Sequence, residues 1–176
     1  MEWGKQMEKQ QENAKLSLYQ NTNYTFERNE RKTLIIEIDL TTSENTFSVN
    51  LIEPLIVDKL SDIYLDSFTT HYVKTCDSVV DMGFILDIDQ FNVKSNSNKA
   101  AYFNKIFIPN EQTTASNPQL ARVHKGKKLN YICSINPCRL RTLTLDATVL
   151  DGTTINAPNG GRYIAEFVIK PQAIKK

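Results

Sequence analysis

The side chains that could do chemistry in this sequence begin with four aspartates, Asp77, Asp81, Asp87 and Asp89. Asp87 and Asp89 are two residues apart, a spacing that places both carboxylates on one face of a strand and suits a hard cation. The same spacing is typical of the solvated face of an amphipathic strand. No glycine-bearing calcium loop accompanies these residues. The pattern therefore favours a solvated strand face over a metal site.

Three cysteines and two histidines are the remaining candidates for metal binding or nucleophilic catalysis. Cys133 falls on the apolar positions of its strand, which predicts a buried structural thiol. No serine or cysteine lies in a nucleophile elbow that a histidine could activate. The other potential ligands are scattered over different elements and do not predict a zinc site: Cys76, Cys138, His71 and His124. We therefore expect no enzyme activity, no cofactor and no bound metal.

Basic residues are concentrated in a segment that the sequence predicts to be a loop, Arg122 to Lys128, and Tyr131 follows it. A basic loop beside an aromatic residue can bind single-stranded nucleic acid, pair with an acidic patch on a neighbouring protein, or only keep a long loop soluble. Lys and Arg number 21 against 20 Asp and Glu, for a net charge of +1. This balance argues against a dedicated duplex-DNA binder, and we expect no specific nucleic-acid partner.

Candidate interaction residues are the aromatic, apolar and basic side chains that the pattern places in loops or in the N-terminal segment. They are Trp3, Met7, Tyr102, Phe103, Arg122, Lys125, Lys127 and Lys128.

Residues 1–30 differ from the rest of the chain because they are rich in Glu, Gln, Lys and Asn. Trp3, Met7, Ala14 and Leu18 recur near helical spacing, but this apolar stripe is thin. The segment is interpreted either as a frayed tail or as an arm that orders on a partner. It has no apolar h-region, and no run in the chain approaches the roughly 20 residues that span a bilayer. We expect an intracellularly made, soluble protein without a membrane-spanning segment.

From residue 33 the hydrophobic period changes to two, which predicts strands. In the most regular of them Phe84 and Leu86 are expected to anchor the core. In a long third stretch, Ile63 and Leu65 are predicted to share one face, and Phe68 the other. Eight strands are predicted, at about 33–40, 47–51, 55–73, 80–88, 102–108, 129–135, 139–150 and 162–170.

Eight strands and no convincing helix after residue 30 predict an all-β fold. The expected architecture is an eight-stranded antiparallel sandwich of the single jelly-roll type, spanning residues 31–176 behind a polar N-terminal arm of residues 1–30. Long loops between some strand pairs favour Greek-key connections. An immunoglobulin-type sandwich is the main alternative, but the cysteine pair around a core tryptophan is missing.

Three segments resemble the single jelly-roll penton or minor capsid proteins of large icosahedral double-stranded DNA viruses: residues 59–68, 84–91 and 105–109. The likeness covers residues 30–170 and is one of architecture and of an Asn-, Lys- and Ile-rich composition. It implies a structural capsid protein that forms a homo-oligomer, most often a pentamer. Such a protein serves as a vertex capsomer or minor shell component of the virion, and is made and assembled in the host cytoplasm. Its partners would be itself and neighbouring capsid proteins.

A different function remains open for the same fold. The sandwich can instead be a non-enzymatic binding module whose loops recognise a glycan or a protein receptor. The two hypotheses differ in the expected mass of the native oligomer.

Overall fold

A computed structural model describes residues 31–40, 46–73, 79–110, 122–124, 130–155 and 160–173. These residues form an all-β structure within one compact unit, Lys32–Lys176. Two short 3-10 turns, Val79–Met82 and Ala100–Tyr102, accompany the strands. The strands are β1 (Lys32–Asp39), β2 (Thr46–Val57), β3 (Ser61–His71), β4 (Gly83–Ile88), β5 (Ile106–Pro109), β6 (Arg122–His124), β7 (Asn130–Ile135), β8 (Cys138–Val149) and β9 (Arg162–Pro171).

The strands form two antiparallel sheets packed as a sandwich. Sheet A has the order β1-β9-β3, and both β6 and β7 pair with the other side of β3. In sheet B the order is β2-β8-β4-β5. The all-β sandwich predicted from the period-two alternation is therefore confirmed.

The core lies between the sheets and is built by this alternation. In β1 the inward residues Leu34, Ile36 and Ile38 are buried. Phe84 and Leu86 are each 1% exposed, as predicted for the core anchors. The ring of Phe84 lies 5.5 Å from that of Phe68 across the two sheets, which joins β4 to β3.

One strand-face prediction and one prediction of strand limits are wrong because of irregularities in the strand pairing. Phe68 is buried with Ile63 and Leu65, since a register shift between Leu65 and Ser67 adds one residue and reverses the faces beyond it. The strands predicted at 47–51 and 55–73 are also divided differently, because β2 continues through Pro54 to Val57 and β3 begins only at Ser61. Pro54 lies in the irregularity between Asn50 and Leu55 on an edge strand of sheet B, a position in which proline is tolerated.

Three predicted boundaries also change. The strand expected from residue 80 begins at Gly83, after the 3-10 turn. The one expected from Tyr102 begins at Ile106. In the segment predicted to be a basic loop, Arg122 to His124 form β6, whose three residues carry too little alternation to be recognised in the sequence. The structure therefore has nine strands in its described part, one more than predicted.

Candidate functional site: the exposed edges of the sandwich

Large exposed hydrophobic side chains mark where this sandwich can meet a partner. Within the described ranges they avoid the four inner strands, β3, β4, β8 and β9. Six lie on edge strands, and Leu60, Met82 and Phe103 lie in segments between strands. They are Ile35, Ile52, Ile56, Leu60, Met82, Phe103, Phe107, Val123 and Tyr131. In the described ranges, large exposed apolar side chains are thus found on edge strands and in connecting segments and not on the inner strands.

One side of sheet B is the β2 edge, which we define as residues 46–58. Ile52 is 104% exposed and projects from the bulge between Asn50 and Leu55. Pro54 in the same bulge fixes its own backbone φ. The Asn50 side chain accepts a 2.8 Å hydrogen bond from the Thr142 hydroxyl of β8, which ties the bulge to the sheet. The β2 edge therefore presents a protruding aliphatic side chain on a constrained support.

The opposite side of sheet B is the β5 edge, residues 91–110. Phe107 is 49% exposed, and its ring lies against Gly83 of β4. A Cβ at Gly83 would come within 2.4 Å of the ring, so only glycine leaves room for the phenyl group in this position. The Ser95 hydroxyl accepts a bond from the Lys105 amide at 3.1 Å, which orders the loop before β5. This edge therefore presents a half-exposed aromatic ring that packs against β4.

The two edges differ in charge. The β2 edge contains two carboxylates, Glu53 and Asp58, and no Lys or Arg. The β5 edge contains three lysines, Lys94, Lys99 and Lys105, and no Asp or Glu. Asp58 pairs with Lys32 of β1 at 3.1 Å, and Lys105 pairs with Asp87 of β4 at 3.3 Å. Glu53, Lys94 and Lys99 are exposed.

The candidate interaction residues from the sequence are only partly brought together. Phe103 is exposed on the β5 edge, as expected for a contact residue, whereas Tyr102 is half-buried in the 3-10 turn. Arg122 lies in β6 rather than in a loop, and its Nε is buried without a hydrogen-bond partner. The other five lie outside the described residues: Trp3, Met7, Lys125, Lys127 and Lys128.

Ile52 and Phe107 are not among the candidate interaction residues predicted from the sequence. Both are apolar residues off the alternation of their strands, and this is the signal that could have identified them. Ile52 immediately precedes Glu53 and Pro54, and Phe107 separates the two inward residues Ile106 and Ile108.

The acidic group does not form one face. Asp81 is buried in the 3-10 turn, so its predicted place on a solvated strand face is wrong; Asp77 lies outside the described residues. Asp89 is exposed, and Asp87 lies directly opposite Asp146 of β8. In the part of the chain that the structure describes, no three His, Cys, Asp or Glu side chains are grouped closely enough to hold a metal ion.

His124 is a buried histidine in the core between the sheets. Its Nε2 lies 2.7 Å from the Thr70 hydroxyl, and its ring lies 5.0 Å from that of Phe84 and 6.0 Å from that of Phe68. Burial, with a smaller contribution from the Arg122 charge, lowers the pKa of His124 from 6.5 to about 4. The imidazole is therefore neutral at physiological pH and packs as a core residue.

The two thiols in the described ranges lie in the core or pack against it, and Cys76 lies outside these ranges. Cys133 is buried, as its place on the apolar positions predicted, and burial raises the pKa of its thiol to about 11. Burial also raises the pKa of Cys138. Neither thiol is activated for nucleophilic attack, which needs a lowered pKa.

A polar and aromatic cluster lies on the outer face of sheet A. The Tyr131 hydroxyl lies 2.9 Å from the Ser134 hydroxyl, which donates a 2.8 Å bond to Asp62. Asp62 also accepts a 2.7 Å bond from the Gln172 amide. Tyr131 packs edge-on against Tyr64 with ring centroids 5.9 Å apart. An exposed ring thus lies beside hydrogen-bonding groups that are already oriented.

Comparison with known proteins adds no relative. No protein-family model matches the chain, and no curated protein matches its sequence. None of the helices in the described ranges has the length and apolar character needed to cross a bilayer.

Proposed function

We propose that this chain is a structural shell protein that works by associating with copies of itself. The observation that carries the proposal is the distribution of exposed apolar side chains, which lie along the edges of the sandwich and not on its inner strands. Edge strands with exposed apolar groups are a liability in a monomer and are normally protected. Contact with neighbouring copies would bury them.

The strand pairing supports a single jelly roll as the finer description of the fold. With β6 and β7 taken as one interrupted row, the hairpin-like pairs are β1 with β9, β2 with β8, β3 with β6 and β7, and β4 with β5. These are the pairs of one long antiparallel ribbon folded at its middle. Rolling that ribbon brings β9 beside β3 and β8 beside β4, which are the remaining pairs. Double-sheet jelly rolls of this kind occur in viral capsid domains.

We therefore propose a capsid role, as a homo-oligomeric vertex capsomer, with five copies as the expected number, or as a minor shell component of an icosahedral virion. The function would then be carried by interface contacts and not by a catalytic group. The energy of assembly would come from burial of the edge side chains, and charge pairs would add orientation.

The direct test is the native mass of the full chain in solution. Sedimentation velocity over a range of concentrations should show a closed species, at roughly 100 kDa for five copies of the 20.1 kDa chain. A protein that stays monomeric at every concentration, including those at which shell proteins assemble, would overturn the proposal.

Saccharide binding is a second candidate function, and the outer-face cluster around Tyr131 is the observation that favours it. An exposed aromatic ring can stack on the C–H face of a sugar while fixed polar groups such as Asp62 and Gln172 bond its hydroxyls. An oligosaccharide array probed with the wild-type chain and with Tyr131→Ala tests this function. Binding that is lost in the variant would support it, and an array without binding would exclude it for the sugars tested.

A further inference from the structure

We infer that the contact between copies is head-to-tail, with the β2 edge of one copy packing on the β5 edge of the next. This inference rests on the proposed function and adds which surfaces meet and with what symmetry. Its partner is a second copy of this chain.

The β2 edge has the character of an inserting group. Ile52 projects fully into solvent from a bulge that Pro54 and the Asn50–Thr142 bond hold in place. Ile56 adds a second exposed aliphatic group on the same strand. A protruding side chain on a constrained backbone loses little conformational entropy when it is covered, so its burial contributes most of its hydrophobic free energy to binding.

The β5 edge has the character of a receiving surface. Phe107 is half exposed with its ring against Gly83, and Phe103, four residues earlier in the chain, is exposed as well. Large side chains that fill pockets are typical anchors of protein interfaces. The ordered loop bonded to Ser95 keeps this surface in place.

Charge favours a contact between unlike edges over a contact between like edges. Lys32 already pairs with Asp58, and Asp87 with Lys105, so the charges that bear on the contact are those of the exposed Glu53, Lys94 and Lys99. Two β2 edges would bring Glu53 towards its own copy, and two β5 edges would bring lysines towards lysines. Contact of the β2 edge with the β5 edge instead brings Glu53 to the edge that carries Lys94 and Lys99. Like-charge juxtaposition disfavours the symmetric pairs and opposite charge favours the mixed one.

Strand direction is compatible with the same arrangement. Within sheet B, β2 and β4 each run antiparallel to β8, and β5 runs antiparallel to β4, so β2 and β5 have opposite directions. Copies placed side by side in one orientation therefore continue the antiparallel alternation. The bulge in β2 and Pro109 in β5 limit backbone pairing, so side chains make most of the contact. Contacts between unlike surfaces form rings when their rotation closes.

A complementation experiment with two variants of the full chain tests the inference. Ile52→Asp removes the protruding group and leaves the β5 edge intact, and Phe107→Asp removes the ring and leaves the β2 edge intact. Each variant alone should stay monomeric. Mixed in equal amounts, they should form a species of two chains, because the intact β2 edge of the Phe107→Asp chain can pack on the intact β5 edge of the Ile52→Asp chain. The edges left free in that pair are the two altered ones, so no third chain can add.

Asp66→Asn is the matched control, since it changes one unit of charge at an exposed site on the inner strand β3 and should assemble like the wild type. Sedimentation is measured at the highest concentration that keeps the single variants monomeric, and circular dichroism verifies that each is folded. If an aspartate variant does not fold, Ile52→Ser and Phe107→Ser replace the pair.

The outcomes separate this inference from the function on which it rests. If the wild type assembles but the equal mixture of the two variants stays monomeric, the head-to-tail contact is wrong and the shell function is unaffected. Normal assembly of either single variant would have the same consequence. A wild-type chain that never assembles would overturn the shell function, and the contact with it.

Discussion

His124 should make the stability of the sandwich depend on pH. The imidazole is buried between the sheets and bonded to Thr70, and its pKa falls from 6.5 to about 4 on folding. Because the folded-state pKa is the lower one, the unfolded chain binds this proton first as the pH falls. The stabilisation is complete above the unfolded-state value of 6.5 and is lost progressively as the pH falls towards about 4.

The magnitude follows from the two pKa values. Their difference corresponds to about 3.4 kcal/mol in full, and about 2 kcal/mol of it is lost between pH 8 and pH 5. Urea unfolding of the wild type and of His124→Gln at both pH values measures the effect. Groups other than His124 titrate equally in both proteins, so their effect cancels in the difference between the two unfolding free energies. We expect the unfolding free energy of the wild type, relative to that of His124→Gln, to be about 2 kcal/mol lower at pH 5 than at pH 8. His71→Gln, which leaves His124 in place, serves as the control and should keep this contribution.

A pH-independent effect of the His124→Gln substitution would contradict this prediction. If the difference in unfolding free energy between the wild type and His124→Gln is the same at pH 5 and pH 8, His124 is not shielded from protonation in the folded protein. Its place between Phe68 and Phe84 would then be wrong.

Three further predictions concern the core, the β5 edge and the N-terminal arm. Phe84→Ala should cost about 3–5 kcal/mol in urea unfolding, because the ring is buried between the sheets; a loss below about 1 kcal/mol would place it outside the core. Gly83→Ala should push the Phe107 ring from its position and weaken assembly measured by sedimentation, and an unchanged association constant would show that this ring position is unimportant. Deleting residues 1–30 should leave the melting temperature of the sandwich nearly unchanged and abolish assembly. A truncated chain that fails to fold would assign the arm to the core.

The alternation of apolar and polar residues along the sequence is enough to determine much of this fold. The alternation of Leu34, Ile36 and Ile38 is enough to identify β1 and its buried face, because a half-buried strand needs apolar residues at every second position. The same argument identified Phe84 and Leu86 as core residues and Cys133 as a buried thiol. A sandwich then follows, since several strands with one apolar face each must bury those faces against one another.

Tertiary structure decided the features that depend on an extra residue or on a distant partner. The bulge after Leu65 turns Phe68 inward. The local sequence does not predict this bulge, because it depends on the register of the neighbouring strand. β6 is only three residues long and is a strand because β3 offers it an edge to pair with.

The candidate edges are of the same kind. Ile52 and Phe107 interrupt the alternation of their strands, and the sequence alone cannot say whether such residues are buried by another layer or left in solvent. Ile52 is exposed in a bulge of the edge strand β2, whereas Phe107 points away from the core and is exposed on the outer face of sheet B. Both features depend on strand order and on pairing between residues far apart in the chain. Periodicity is a local property of the sequence and determines which face of each strand is buried. Which strands lie at the edges of the sandwich depends on pairing between distant strands, and only the tertiary structure determines it.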